Sequence, residues 1–125
     1  MTVLYMLDGE RNVVPAADPV AWADWAAVWA NRHVASAFLD EAGVVLLEVG
    51  AGEVVEPPAA FAIEVSTIFV GIRSHPTQEP PHLFETTVFY AYGTGGSTRY
   101  ASWREAVHGH VQEVRLMRLE LRGRS

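Results

Sequence analysis

Two strand-length segments, residues 60–73 and 83–92, constrain this chain more than anything else in it. Both are rich in β-branched and aromatic residues, the types that fit a pleated surface. In the first, one alternating set is Ile63, Val65, Thr67 and Phe69, and the other is Glu64, Ser66, Ile68, Val70 and Ile72. In the second, the sets are Leu83, Glu85, Thr87, Phe89 and Phe84, Thr86, Val88, Tyr90. A strand with one wet face would show a clean apolar/polar alternation, whereas here every set carries apolar bulk. The pair is therefore expected at the centre of a sheet covered on both sides. Pro76, Pro80 and Pro81 make the intervening residues 74–82 a loop.

The remaining segments supply partners for that pair. Residues 3–7 read as a strand, Asp8-Gly9 as a turn, and Val13-Val14 as a short return. Asp18-Pro19 is a helix start, with Asp at the cap and Pro in the first turn. The helix is expected over residues 19–32, with Trp22, Trp25, Ala26 and Trp29 on one stripe facing the core. Residues 33–40 and 44–49 form a hairpin about Glu41-Ala42-Gly43, and residues 50–58 form a loop. The Gly-rich residues 93–97 read as a flexible connector to a second helix. Ser102 with Glu105 is a capping box, and that helix is expected over residues 103–121. Its apolar face is read as Trp103, Val107, His110, Val111, Val114 and Met117.

The order β(β)–α–β–β–β–β–α predicts a single α+β domain spanning residues 1–125. It has a four- to five-stranded, mostly antiparallel sheet with two helices packed on it. If both helices share one face, the other stays apolar, and a homodimer through that face would cover it.

Composition removes several kinds of chemistry. There are no cysteines, so disulfides, thiolate metal sites and a cysteine nucleophile are excluded. All nine basic residues are Arg, which removes a phosphate-loop lysine and a Schiff base. The net charge of −6 gives no reason to bind nucleic acid. Arg115, Arg118, Arg122 and Arg124 are read as complementing a helix C-terminus, since Glu113 and Glu120 interrupt them. No apolar run approaches the ~20 residues needed to span a bilayer. Residues 1–7 lack the basic stretch of a signal peptide, so a cytoplasmic location is expected.

Five histidines raise the question of a metal. His108 and His110 are two apart, which on a helix turns the rings to different sides, and they could share an ion only if the helix broke at Gly109. No metal and no cofactor are expected. Glu85 is the sharpest single residue, a carboxylate inside an apolar strand that needs a partner. Arg99, His110 and His75 are candidates. With Trp103 as a wall, Glu85, Arg99, His110 and His75 outline a candidate pocket in which Glu85 could act as acid or base. A structural role, as a buried ion pair or a carboxylate capping backbone N–H groups, is the leading reading, and no catalytic residue is assigned.

Three stretches carry a resemblance: Val65-Ser-Thr-Ile-Phe-Val-Gly-Ile, Pro80-Pro-His-Leu-Phe-Glu85-Thr-Thr-Val-Phe, and Arg99-Tyr-Ala-Ser-Trp103-Arg-Glu105-Ala-Val-His-Gly109-His110. Together they resemble a family of small uncharacterised proteins of actinobacteriophages and actinobacterial genomes. Its pattern is VSTVFLGLDH, then GPPLLFETMVF, then RYxTWxEAxxGH. Arg73-Ser74 stands where the family has Asp-His, with His75 one place later. The resemblance implies a setting rather than a chemistry: a phage or prophage accessory protein in the cytoplasm of a high-GC host. On this reading the protein is a non-enzymatic module binding a host or phage protein, or itself. The alternative is a small-molecule or hydrolytic protein built on Glu85, Arg99 and His110.

Overall fold

The computed structural model describes residues 3–73, 75 and 77–123, and the fold is α+β. A two-stranded ribbon of β1 (Tyr5–Leu7) and β2 (Val13–Pro15) leads into α1 (Pro19–Ala26) and α2 (Trp29–Arg32). Five strands follow: β3 (His33–Leu39), β4 (Val45–Val49), β5 (Ile63–Phe69), β6 (Phe84–Tyr90) and β7 (Gly93–Tyr100). The chain then enters α3 (Trp103–Gly123). The sheet order is β4-β3-β5-β6-β7, with every neighbouring pair antiparallel, so β5 and β6 are interior strands as their composition requires.

The caps form as expected. Asp18 Oδ1 accepts from Ala21 N–H at 2.8 Å, with Pro19 in the first turn. At α3, Ser102 Oγ accepts from Glu105 N–H at 3.1 Å, and Glu105 Oε2 reaches back to Ala101 N–H at 3.0 Å. The buried stripe of α3 is Ala106, His110, Val114, Met117 and Leu121. Its C-terminal half packs on Ala37, Leu39, Ile63, Val65 and Val88. A second cluster joins Leu7, Val34, Phe69, Leu83, Phe84 and Ala106, with Trp25 edge-on to Phe69 at 5.6 Å.

Four expectations need correction. The helix over 19–32 is two helices, because Val28 is extended (φ −86°, ψ 107°). Asn31 Nδ2 donates to the Trp25 carbonyl at 2.9 Å, alongside the Val28 N–H at 3.3 Å, and so braces the break. The break also takes Trp29 off the Trp22–Trp25 stripe and lays it on the His33 ring. The Gly-rich connector is strand β7, paired with β6 by a hairpin. Its glycines and small hydroxyl residues suit an edge strand with little to bury, and the lack of apolar bulk hides it from a pattern reading. Val107 and Val111 flank the α3 stripe rather than lie in it, at 41% and 50% exposed, and Leu121 takes the inner position.

The fourth correction concerns the face of the sheet away from α3. Its cross-strand rows are His33–Ile68–Glu85–Arg99, Val49–Ser36–Ser66–Thr87–Ser97 and Leu47–Phe38–Glu64–Phe89–Thr94. Hydroxyls and charges alternate with apolar residues, so the wholly apolar face that would have called for a second copy is not there. The loop over residues 50–61 covers the β3–β4 side of this face, with Phe61 edge-on to Phe38 at 5.1 Å. Among the described residues, no helix is long and apolar enough to cross a membrane.

Candidate functional site

The five residues expected to share a pocket are distributed over several places. Glu85 and Arg99 do meet, facing each other across β6 and β7 with Arg99 Nε 3.0 Å from Glu85 Oε2. Thr87 Oγ1 donates to the other carboxylate oxygen at 3.1 Å. Arg99 also donates to the Ile72 and His82 carbonyls, at 2.9 and 3.2 Å. The pair is thus occupied by structure and ties the 70–83 loop to the sheet.

His110 lies on the opposite side. Its partner Thr67 is the cross-strand neighbour of Thr86, one residue from Glu85, and successive residues of a strand point to opposite faces. The Glu85/His110 pocket is therefore corrected: the β-sheet separates its two halves. His110 Nδ1 is 2.7 Å from Thr67 Oγ1, which in turn is 2.6 Å from Thr86 Oγ1. Burial, with a smaller contribution from the charge of His33, pushes the His110 imidazole down to about 4. It is a neutral, hydrogen-bonded core histidine at neutral pH.

His75 is exposed in the loop, and Ser74 beside it lies outside the described residues, as does Arg124 of the basic cluster. Arg73 bonds Tyr5 Oη and pairs with Glu79 Oε1 at 2.6 Å. Trp103 packs edge-on to Phe84, and the Arg11 guanidinium sits 4.2 Å over its indole. Clefts of about 330 and 430 Å³ flank this stack. Arg11 is engaged in the stack, and Asp8 with the backbone N–H groups of Glu10 and Asn12. Helix α3 runs unbroken through Gly109, so His108 and His110 do not share an ion, and the described residues contain no His/Asp/Glu group of metal-site form.

A constellation the sequence reading missed stands on the other side of the sheet. His33, fully buried at 1% exposure, has its Nε2 2.8 Å from Ser36 Oγ, and its Nδ1 accepts from Gly52 N–H at 3.0 Å. That donor fixes Nδ1 as an acceptor, so the ring proton sits on Nε2 and is given to Ser36. This is the reverse of what a serine nucleophile needs from its base. Burial lowers the His33 pKa, opposed by Glu53 and the Gly50 backbone. Trp29 stacks on the same ring at 4.0 Å between centroids.

Scans against family models, curated proteins and solved structures find no match to this chain.

Beside His33 the 50–61 loop and the sheet enclose a groove of about 240 Å³. Trp29, Phe38, Val49, Val54, Val55 and Pro57 form its apolar walls, and Ser36, Glu53 and Glu64 supply its polar atoms. Glu64 makes no hydrogen bond or ion pair with the described residues, and burial raises its pKa. The rim is apolar and open, with Trp29 48%, Val54 86% and Val55 39% exposed. One signal for this site was legible: Glu64 interrupts an apolar strand just as Glu85 does. Only Glu85 was singled out, with Arg99, His110 and His75 as candidate partners. Trp29 gave no signal, because its helical spacing placed it in the core stripe.

Proposed function

We propose that the protein is a non-enzymatic binding module that engages its ligand or partner through the groove between the 50–61 loop and the outer sheet face. The observation that carries this reading is the exposed apolar rim of Trp29, Val54 and Val55 around a formed concavity. Exposed apolar surface gathered at a cleft is the usual mark of a recognition site. Its complement is the state of the ionisable groups. Glu85 is held by Arg99 and Thr87, His110 by Thr67, and His33 carries its proton toward Ser36. None of these pairs stands ready to move a proton at a cavity. The motif resemblance supports the wider setting, an accessory protein of a phage or prophage acting in the host cytoplasm on a host or phage protein.

The test is a chemical-shift screen of the ¹⁵N-labelled protein against a chemically diverse fragment set. The expected result is that perturbations gather at Ser36, Gly52, Val54 and the Trp29 indole N–H. Perturbations confined to other surfaces, or turnover of any bound fragment in the same samples, would overturn the proposal.

A further inference from the structure

Resting on that binding reading, we infer that the groove is a cation pocket: it takes a single ammonium or guanidinium group carried on an apolar stem.

Three features of the groove point to this class. The first is charge. Both of its ionisable lining residues, Glu53 and Glu64, are carboxylates. The titratable group behind them, His33, is buried and neutral, with its Nε2–H directed to Ser36. Arg32, which precedes His33 in the chain, is engaged elsewhere, with its Nε on the Phe69 carbonyl at 3.1 Å. Glu64 is therefore a partly desolvated carboxylate that makes no ion pair among the described residues. Such a group costs stability until a counter-charge arrives.

The second is the aromatic wall. One face of the Trp29 indole lies on the His33 ring, with an interplanar angle of 20°, while about half of the residue stays exposed. Indole is the best of the aromatic rings for a cation, and the effect strengthens as water is excluded. Phe38, Val49, Val55 and Pro57 complete a sleeve suited to methylene or aryl groups.

The third is size. A volume of about 240 Å³ is below the ~300–1,000 Å³ of typical ligand sites, so a nucleotide or a folded surface does not fit inside. One large side chain or a small amine does. An anion is opposed by both carboxylates, and a neutral apolar group leaves Glu64 desolvated and unpaired.

The experiment is a matched series of probes added to the ¹⁵N-labelled protein: phenethylammonium, the neutral phenethyl alcohol and the anionic phenylacetate. Agmatine and a capped arginine (N-acetyl-arginine N-methylamide) separate a free amine from a peptide-borne side chain. Phenethylammonium should bind at least ~10-fold more tightly than the alcohol, in keeping with the worth of a hydrogen bond to a charged group. Phenylacetate should not bind. Glu64→Gln should lose that margin while keeping its dispersed spectrum and an unfolding midpoint at least as high as the parent's, because the substitution removes an unpaired charge rather than a packed group. Trp29→Leu should weaken the cations more than the alcohol. Equal binding of cation and alcohol, or an unchanged margin in Glu64→Gln, would overturn the cation reading while leaving the groove a binding site. If no probe perturbs the groove, the binding reading fails with it.

Discussion

Acid should destabilise this protein well before its carboxylates titrate, and His110 sets the size of the effect. The ring is 7% exposed and bonded to Thr67, and its pKa falls from the ordinary 6.5 to about 4. Between those values the unfolded chain binds a proton that the folded chain refuses. Stability is therefore complete above pH 6.5 and drains away as pH falls toward 4. At about 1.4 kcal/mol per pH unit, the loss from this residue is about 3 kcal/mol. That is a large share of the ~5–15 kcal/mol typical of a domain. His33, also lowered by burial, adds a loss of the same sign. Glu64 has the opposite sign: its raised pKa favours the folded state at low pH, and that advantage disappears as pH rises through the folded value. Urea unfolding followed by tryptophan fluorescence at pH 7, 6, 5 and 4 measures the slope. His110→Gln, which keeps a polar partner for Thr67 but cannot titrate, should remove about 3 kcal/mol of the pH dependence. A His110 ring signal that titrates near 6.5 in the folded protein, or an equal slope in His110→Gln, would refute the reasoning.

Three further outcomes are expected. Thr67→Val leaves His110 Nδ1 and the Thr86 hydroxyl without their shared partner, so unfolding free energy should fall by about 2–3 kcal/mol. Gly109→Ala reads as stabilising by helix propensity, about 1 kcal/mol, yet its Cβ would run into the Tyr100 ring that lies across Gly109. A lowered thermal midpoint is expected, and a raised one would show that the ring swings aside freely. Gly71→Ala should be costlier, since φ is +76° and a Cβ there would lie 2.8 Å from the Tyr5 carbonyl and 3.0 Å from Trp22 Nε1. A loss above ~1 kcal/mol is expected in the same melt.

The fold was legible where one principle decided an element alone. The caps at Asp18 and Ser102, the hairpin at Glu41-Ala42-Gly43 and the interior pair β5–β6 follow from local residues. That Glu85 needs a partner also followed from its strand, but choosing Arg99 over His110 and His75 took the β6–β7 register. The strand β7 and the break at Val28 were not legible. Small polar residues carry no periodic signal, and the bonds that bridge the break, such as Asn31 to the Trp25 carbonyl, exist only once the turn has formed.

Left to itself, the sequence determined the α+β class, the interior placement of residues 63–69 and 84–90, and the exclusion of thiol and lysine chemistry. Those depend on residue type and on spacing within a strand or helix. Which side of the sheet each polar residue faces, and what meets it there, was decided only in three dimensions. Strand pairing set Thr67 and Thr86 beneath His110 and put Glu85 on the far side. It also placed Glu64 in a groove closed by a loop that begins at Gly50, next to a tryptophan and a histidine from another part of the chain. Long-range register is a property of the assembled sheet, and no local pattern encodes it.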